Sequence, residues 1–411
     1  MIQVMTLEEL DAELFQHSTK ALSPEKRKFL EQKWDRIREM AVQNSGFGTW
    51  GPHLLKLSRE EISRLKAKFL ETIQSVEHGH LHLEEEFIQK HPELIGLRFL
   101  LDPTSEVFIE LFDRDNAKAI FWEYDSSLVA RHRAHFQEVF KFLYRHPAWA
   151  RRDKLVCEML VGHLIAILPY FDFENTSKIE ILRFLDNSWK LVAYQVNHIP
   201  MIDGEIYAYG LEPQDEPRAK PILIFRGTPY PAARGFLEAI WSDLHPIKSI
   251  GEEIFQKGSH ALELWMQGKE DVDCYGLSLG GAIAYHAGQV YGKRLNVYAY
   301  AAPGLIPMKG GLSNIHGRVF FHYNDLIKSI GYHPESEHFK VYAVITDLDL
   351  NLWTAHSRPT GLGPTLVLKV DPTNENRTWT RYFANILKVA VSTLLFLILF
   401  PIKKLVDLFR Q

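Results

Sequence analysis

The sequence has very little cysteine, with only two such residues among 411. Cys157 and Cys274 stand far apart and lack the paired spacing of metal ligands. A disulfide scaffold and a zinc site built from cysteines are therefore both excluded. We expect the protein to use no cofactor and no metal ion.

The chain also lacks an excess of positive charge. Its 47 Lys and Arg residues face 51 Asp and Glu residues, which gives a formal net charge of −4. Without a positive field to attract phosphate backbones, we expect no nucleic-acid partner. Residues 1–15 contain neither a basic stretch nor a sustained apolar run, so we expect no secretory signal peptide. Solenoid-type repeats and low-complexity tracts are missing too.

Hydrophobic residues make up 46% of the chain, enough for a core, and the length favours two or three units. The pattern up to about residue 170 indicates helices. Thr6 with Glu9, and Ser58 with Glu61, form capping boxes that start helices. We expect a helical N-terminal domain over residues 1–170, which is also a candidate binding surface for a protein partner.

From about residue 178, short β-rich runs replace this pattern, and helical stretches at 250–267 and 280–291 separate the later ones. Such alternation is typical of a mostly parallel sheet with helices on its faces. A turn-rich stretch between the second and third runs predicts a hairpin. We therefore expect an α/β domain over residues 171–375. The predicted strands are Leu191–Val196, Glu205–Leu211, Ile222–Phe225, Val272–Tyr275, Asn296–Ala301, Val319–Tyr323 and Phe339–Val344.

The C-terminal segment over residues 376–411 is strongly apolar from Ala384 to Ile402. About 19 residues of helix would measure roughly 28 Å, close to the hydrocarbon thickness of a bilayer. Lys388 interrupts the run, so a helix lying in the membrane plane and a buried terminal helix stay open as alternatives to a spanning anchor. We expect this hydrophobic helix to contact a membrane surface. Basic residues flank it at Arg377, Arg381, Lys403, Lys404 and Arg410.

The chemistry is indicated by Gly276-Leu277-Ser278-Leu279-Gly280, which follows a predicted strand and precedes an alanine-rich helical run. A serine turned sharply between strand and helix needs small neighbours, because the two elements nearly touch. The turn exposes the hydroxyl to a histidine. It also directs the next backbone N–H, that of Leu279, toward a developing oxyanion. This pattern predicts a nucleophilic serine.

The motif and three further segments resemble the class 3 lipases, a family that includes fungal triacylglycerol lipases and has the α/β-hydrolase fold. The strand 222–225 followed by Arg226-Gly227-Thr228 is similar to the family's Arg-Gly-Ser/Thr, which implies that Thr228 contributes to the oxyanion hole. Trp241 with Asp243, and the segment 300–304, are similar to family segments as well. Leu277 departs from the histidine that usually precedes the nucleophile. The resemblance covers about residues 190–360.

A serine nucleophile needs a base, and the base needs a carboxylate that holds its tautomer. In an α/β-hydrolase these follow the serine in the order acid, then histidine. Asp325 resembles the family's acid, with Asp347 and Asp349 as rivals that we otherwise assign to a solvated turn. His356 is similar to the family's loop histidine.

Other histidines are distractors for this assignment. His333 and His338 stay open as alternative bases, although we expect them at the surface. We expect His322 and His286 to be packed structural residues. The alternating His78, His80 and His82 suit a metal only on an extended segment, and helical signals on both sides favour a solvated face instead.

These features lead us to expect a membrane-associated serine hydrolase that cleaves carboxylic ester bonds of lipids. Its catalytic domain would face the cytosol, and residues 229–236 would form a lid or an ordinary surface loop. Two alternatives remain open. One is a catalytically silent lipase-like scaffold that recruits a partner through the N-terminal half. The other is a membrane-tethered acyltransferase or thioesterase.

Overall fold

A computed structural model describes residues 2–19, 24, 28, 54–74, 129, 133, 136, 139–141, 143–144, 154–202, 206–228, 248–305, 314–325, 327–346, 355–356, 365–372, 376–377, 379 and 381–392. The chain divides into two compact units. Unit 1 comprises residues 1–116, 138–157 and 361–365, and unit 2 comprises the rest. The three-part division expected from the sequence stays a prediction.

Unit 1 contains two strand-to-helix connections. Strands β1 (Ile2–Thr6) and β2 (Leu54–Ser58) pair antiparallel, and helices α1 (Leu7–Thr19) and α2 (Arg59–Gln74) follow them directly. The predicted capping box before α2 is confirmed, because Glu61 Oε2 accepts from the Ser58 N–H at 2.7 Å and Ser58 Oγ from the Glu61 N–H at 3.3 Å. The N-terminal region was expected to be helical, but Ile2–Thr6 and Leu54–Ser58 are strands. Each strand ends at the residue directly before the next helix.

In unit 2, helix α3 (Lys154–Ala166, shared with unit 1) and a 3₁₀ turn (Leu168–Phe171) precede nine strands that form one mixed sheet, so the α/β character is confirmed. The strands lie side by side in chain order. Helices α4 (Glu252–Met266) and α5 (Leu279–Tyr291) flank the strand β7. The strands are β3 (Lys178–Leu185), β4 (Ser188–Ile202), β5 (Ile206–Pro213), β6 (Ile222–Phe225), β7 (Val272–Leu277), β8 (Leu295–Tyr300), β9 (His316–His322), β10 (Phe339–Thr346) and β11 (Thr365–Val370).

The sheet is parallel on one side and antiparallel on the other. Strands β6 to β10 pair parallel, whereas β3 to β6 pair antiparallel, including the predicted hairpin of β5 and β6. Asp186 and Asn187 form the two-residue turn between β3 and β4, and both have a positive φ, 50° for Asp186 and 61° for Asn187. Such a turn matches the twist of the strands that it joins. The expectation of a mostly parallel sheet therefore holds for β6 to β10 alone.

The two faces of β7 and β8 are covered by different helices. Cys274 and Ala299 point into the core that α4 and α5 share with the sheet. Successive side chains on a strand alternate between faces. Accordingly, Tyr275 and Tyr300 point the other way, toward Gly162 on α3, where a Cβ would overlap the Tyr300 hydroxyl. The central strands are thus buried on both faces, and their carboxyl ends form the edge that carries the site.

An ion pair ties the antiparallel side of the sheet to its centre. The guanidinium of Arg183 on β3 pairs with the carboxylate of Asp273 on β7 and donates to the Tyr275 hydroxyl at 3.0 Å. Four strand spacings on a flat sheet would separate these residues by about 19 Å, beyond the reach of an arginine. The sheet therefore curls on its antiparallel side, which brings β3 close to β7.

Two apolar helical segments bear on the question of a membrane. Among the described residues, Lys154–Phe171 is long and apolar enough to cross a bilayer, but 83% of it is buried within the protein, as in a core helix. The predicted C-terminal segment is described only as far as residue 392, and residues 381–392 form a helix. Residues 393–402 lie outside the described part of the chain.

Candidate functional site

Ser278 occupies the turn between β7 and α5. Its backbone has φ 54° and ψ −123°, a conformation that costs free energy in a residue with a side chain. The Ser278 N–H donates to the Tyr300 carbonyl at 2.9 Å, and the Ser278 carbonyl accepts from the N–H of Gly281 at 2.9 Å. These bonds on both sides hold the strained turn in place, and the half-buried side chain projects from it.

Three glycines around Ser278 make this turn sterically possible. A Cβ at Gly276 would overlap the Gly280 backbone, and one at Gly280 would overlap the Phe225 carbonyl oxygen at the end of β6. A Cβ at Gly281 would approach the Ala302 Cβ to 2.5 Å. Real Cβ contacts are not this short. The glycines of the motif therefore each occupy a position where strand and helix leave no room for a side chain.

The structure brings the three predicted triad residues into one hydrogen-bonded chain. His356 Nε2 lies 2.9 Å from Ser278 Oγ, and His356 Nδ1 lies 3.0 Å from Asp325 Oδ2. Asp325 is fully buried, and its second oxygen, Oδ1, accepts from the Ile327 N–H at 2.9 Å. A buried carboxylate keeps the proton of the neutral imidazole on Nδ1. The lone pair of Nε2 then faces the serine hydroxyl.

The predicted locations of four other histidines are confirmed for three and wrong for one. His338 is exposed and lies 3.1 Å from Glu337, as predicted, and His286 and His322 are buried within packed elements, as predicted. The surface prediction for His333 is wrong. This residue is fully buried because its ring stacks on Phe321, with centroids 5.5 Å apart.

Several other predicted residues cannot be placed. They lie outside the described residues, and they are the rival acids Asp347 and Asp349, the pair Trp241 and Asp243, the histidines at 78, 80 and 82, and the segment 229–236. Within the described ranges, no group of three or more His, Cys, Asp or Glu side chains could hold a metal ion.

The two predicted oxyanion-hole residues lie on the elements that meet at Ser278. Leu279 is the first residue of α5, so its N–H belongs to the first helical turn, which has no partner within the helix. Thr228 follows Gly227, where a Cβ would lie 2.7 Å from the Leu277 carbonyl oxygen. The end of β6 therefore passes directly beside the turn. The start of α5 and the segment after β6 therefore lie side by side at Ser278, and the oxyanion-hole roles of Leu279 and Thr228 stay predictions.

Two residues near the site were missed by the sequence analysis. Burial lowers the pKa of His163 to about 3, with further contributions from His322 and His356. His163 is therefore neutral at physiological pH and adds no positive charge beside His356. The Tyr170 hydroxyl lies against Gly227 and its ring contacts the Arg226 guanidinium at 5.6 Å. Both residues come from the segment before the sheet, and nothing in their local sequence indicates a place beside Ser278.

Comparisons with protein-family models, with curated proteins and with solved structures return no significant match for this chain. The chemistry of the site therefore rests on its own geometry. That geometry combines a hydroxyl on a strained turn, an imidazole within hydrogen-bonding distance of it, and a buried carboxylate behind the imidazole. Such an arrangement can transfer a proton from the hydroxyl to the imidazole as the oxygen attacks an electrophilic carbon.

Proposed function

We propose that this protein is a membrane-associated serine hydrolase of the α/β-hydrolase type that cleaves carboxylic ester bonds of lipids. The observation that carries the proposal is the hydrogen-bonded chain from Ser278 through His356 to Asp325. A catalytically silent scaffold would have no need for a fully buried carboxylate aligned behind an imidazole. The geometry therefore counts against that alternative.

In the proposed reaction, Ser278 Oγ attacks the ester carbonyl carbon while His356 Nε2 takes its proton. The carbonyl oxygen becomes an oxyanion, which accepts hydrogen bonds from the Leu279 and Thr228 N–H groups and from the Thr228 hydroxyl. The intermediate collapses, the C–O bond to the alcohol breaks, and the alcohol leaves with the proton from His356. A water molecule, deprotonated by His356, then attacks the acyl-enzyme carbonyl. The bond from the acyl carbon to Ser278 Oγ breaks, the carboxylic acid leaves, and His356 returns the proton to Oγ.

The assignment of the substrate to lipids rests on two features. The motifs at 222–228, 276–281 and 300–304 resemble those of the class 3 lipases. The C-terminal apolar segment would hold the enzyme at a surface where acyl chains are concentrated, so encounter with substrate becomes more frequent. Together they favour a lipid ester over a water-soluble one.

The proposal is tested with a fluorophosphonate probe followed by a panel of lipid classes. Ser278→Ala should abolish both labelling and hydrolysis, since the probe reacts with the same activated oxygen that attacks the ester. Ser259→Ala is a matched control, because Ser259 is exposed on α4 and its hydroxyl donates to the Gln256 carbonyl at 2.8 Å. This variant should label as the wild type does.

Three outcomes would change the assignment. Undiminished labelling of Ser278→Ala refutes the mechanism. A wild-type protein that neither labels nor turns over any ester is the silent scaffold. Faster product formation on an added alcohol or thiol acceptor, with the acyl group found on the acceptor, identifies a transferase.

A further inference from the structure

The helix at residues 381–392 packs against unit 2 with its polar side chains. Arg381 is fully buried, and its Nη1 donates to the Gly331 carbonyl at 2.6 Å. Asn385 Oδ1 accepts from the Gly331 N–H at 2.7 Å, and Lys388 Nζ lies 3.4 Å from the Lys248 carbonyl. These residues are four and three positions apart, so they share one face of the helix. This polar face is the docked one.

The opposite face is apolar and exposed. Five of its positions follow the helical spacing i, i+3, i+4, i+7 and i+8, beginning at Trp379, and two valines lie beyond them. Each side chain is between 41% and 76% exposed. An ordinary surface helix buries its apolar face, so this helix has the reverse polarity, and a continuous apolar surface of this kind marks an interaction site. The outward face consists of Trp379, Tyr382, Phe383, Ile386, Leu387, Val389 and Val391.

We infer that this outward face lies in the plane of a lipid bilayer, inserted into one leaflet. Its first turns carry a cluster of aromatic rings, with the Trp379 centroid 5.9 Å from that of Tyr382 and 6.3 Å from that of Phe383. Aromatic side chains of this type are enriched at the boundary between headgroups and acyl chains. The sequence then continues through ten residues, 393–402, that are apolar apart from Thr393. A lipid surface accommodates both the exposed face and this continuation.

The contacts of the docked face argue against a spanning helix. Residues 381–392 are held along one side by Arg381, Asn385 and Lys388, so they cannot be surrounded by acyl chains. The ten residues after position 392 would measure about 15 Å even as a continuous helix, half the thickness of the hydrocarbon core. The inference deepens the membrane association of the proposed function, because it selects the in-plane arrangement over the spanning one.

Asn376, which precedes the helix, adds two further contacts near the site. Asn376 accepts from the His333 N–H at 2.9 Å and donates to the His333 carbonyl at 2.9 Å. Together with the two Gly331 contacts, these bonds hold the segment 331–333, which begins six residues after Asp325. Insertion of the helix would therefore orient the edge of the sheet that carries the acid relative to the lipid surface.

The test measures the depth of single fluorophores on the helix. Phe383, Leu387 and Val391 are replaced by cysteine one at a time and labelled with an environment-sensitive dye. The two native cysteines are buried and should stay unlabelled. Ser278→Ala serves as the background, so that the vesicles are not hydrolysed and the result does not depend on catalysis. Val290→Cys, an exposed position near the far end of α5, is the control.

On vesicles of phosphatidylcholine and phosphatidylglycerol, the three helix positions should shift to shorter wavelength, and the label at position 290 should not. Lipids brominated at different acyl carbons should report similar depths for all three, roughly 5–10 Å below the headgroup boundary. A spanning helix would instead separate positions 383 and 391 by about 12 Å. Leu387→Glu should lower vesicle binding roughly tenfold or more, whereas Val290→Glu should leave it unchanged.

Two results would overturn the inference. The first is graded depth along the helix, which identifies a spanning segment. The second is the absence of any vesicle-dependent shift, combined with concentration-dependent protection of the labels in solution, which identifies a second copy of the chain as the occupant. Either result leaves the serine-hydrolase mechanism itself unaffected, because fluorophosphonate labelling of the wild type tests that separately, whereas the second result also removes the membrane association on which the lipid substrate partly rests.

Discussion

The substitution Asp325→Asn isolates the role of the buried carboxylate, because it changes charge and hydrogen-bond capacity with almost no change in shape. Asp325 Oδ1 accepts from the Ile327 N–H at 2.9 Å, and the side-chain oxygen of Asn can keep that bond. The amide NH₂ then faces His356 Nδ1 across the present 3.0 Å contact. Since an amide nitrogen only donates, Nδ1 must become the acceptor, and the imidazole proton moves to Nε2.

A proton on Nε2 points at Ser278 Oγ, 2.9 Å away, so the imidazole can no longer accept the proton of the hydroxyl. The same exchange in a serine protease triad lowers kcat about 10⁴-fold, which corresponds to about 5 kcal/mol of activation free energy. We expect a loss of this size here, with KM and the thermal midpoint nearly unchanged.

The assay is steady-state ester hydrolysis on the intact chain, with thermal unfolding as the folding control. Asp347→Asn and Asp349→Asn are the matched variants, since either residue could supply the acid by sequence order alone. They should retain wild-type kcat. A fall of less than tenfold for Asp325→Asn, or a large fall for either rival, would refute the assignment of the acid.

Three further predictions follow from the structure. Gly280→Ala forces a Cβ onto the Phe225 carbonyl, so it should lower the free energy of unfolding by about 1–3 kcal/mol and remove most fluorophosphonate labelling. Gly268→Ala is the control, because Gly268 lies in open space at φ 72°. It should cost about 1 kcal/mol and leave labelling intact. Thr228→Ala should lower kcat about 10²-fold, with recovery in Thr228→Ser, and equal activity of both variants would count against an oxyanion role. Because the pKa of His163 falls from 6.5 to about 3 on folding, the unfolded chain binds the proton more tightly. The free energy of unfolding should thus drop as the pH falls below 6.5, by about 2 kcal/mol at pH 5. Urea titrations at several pH values should show a weaker pH dependence for His163→Gln than for the wild type. Parallel pH profiles of the two proteins would contradict this.

The central elements were predictable because their signals are local. Ile222–Phe225 and Val272–Tyr275 are short runs rich in β-forming residues, and both are strands in the structure. The Gly-x-Ser-x-Gly pattern predicted the turn at Ser278, since few other sequences satisfy its steric demands. Chain order and family resemblance then pointed to Asp325 and His356. The structure brings His356 to Asp325 across 31 positions of sequence and to Ser278 across 78.

What sequence reasoning missed depends on tertiary contacts. Strand β3 has a mixed apolar and charged pattern, and its Arg183 is buried only because Asp273 lies across the sheet. The β3–β4 hairpin is the exception, because its Asp186-Asn187 turn is a local signal in the sequence. His333 has no local feature that distinguishes it from an exposed histidine. Its burial depends on Phe321 and on Asn376, 43 positions further along the chain.

The pairing of Arg183 with Asp273 limits how small an active fragment of this protein could be. Asp273 lies on β7, five positions before Ser278, and both partners are almost entirely removed from solvent. A version of the chain trimmed to begin after β3 would lose the guanidinium that pairs with this carboxylate and keep only the more distant Lys220, whose Nζ lies 4.0 Å from Asp273 Oδ1. Removing one partner of a buried ion pair destabilises a protein, so this version should be less stable than the full chain. The antiparallel strands are thus an integral part of the unit that carries Ser278, and domain-mapping experiments should retain them.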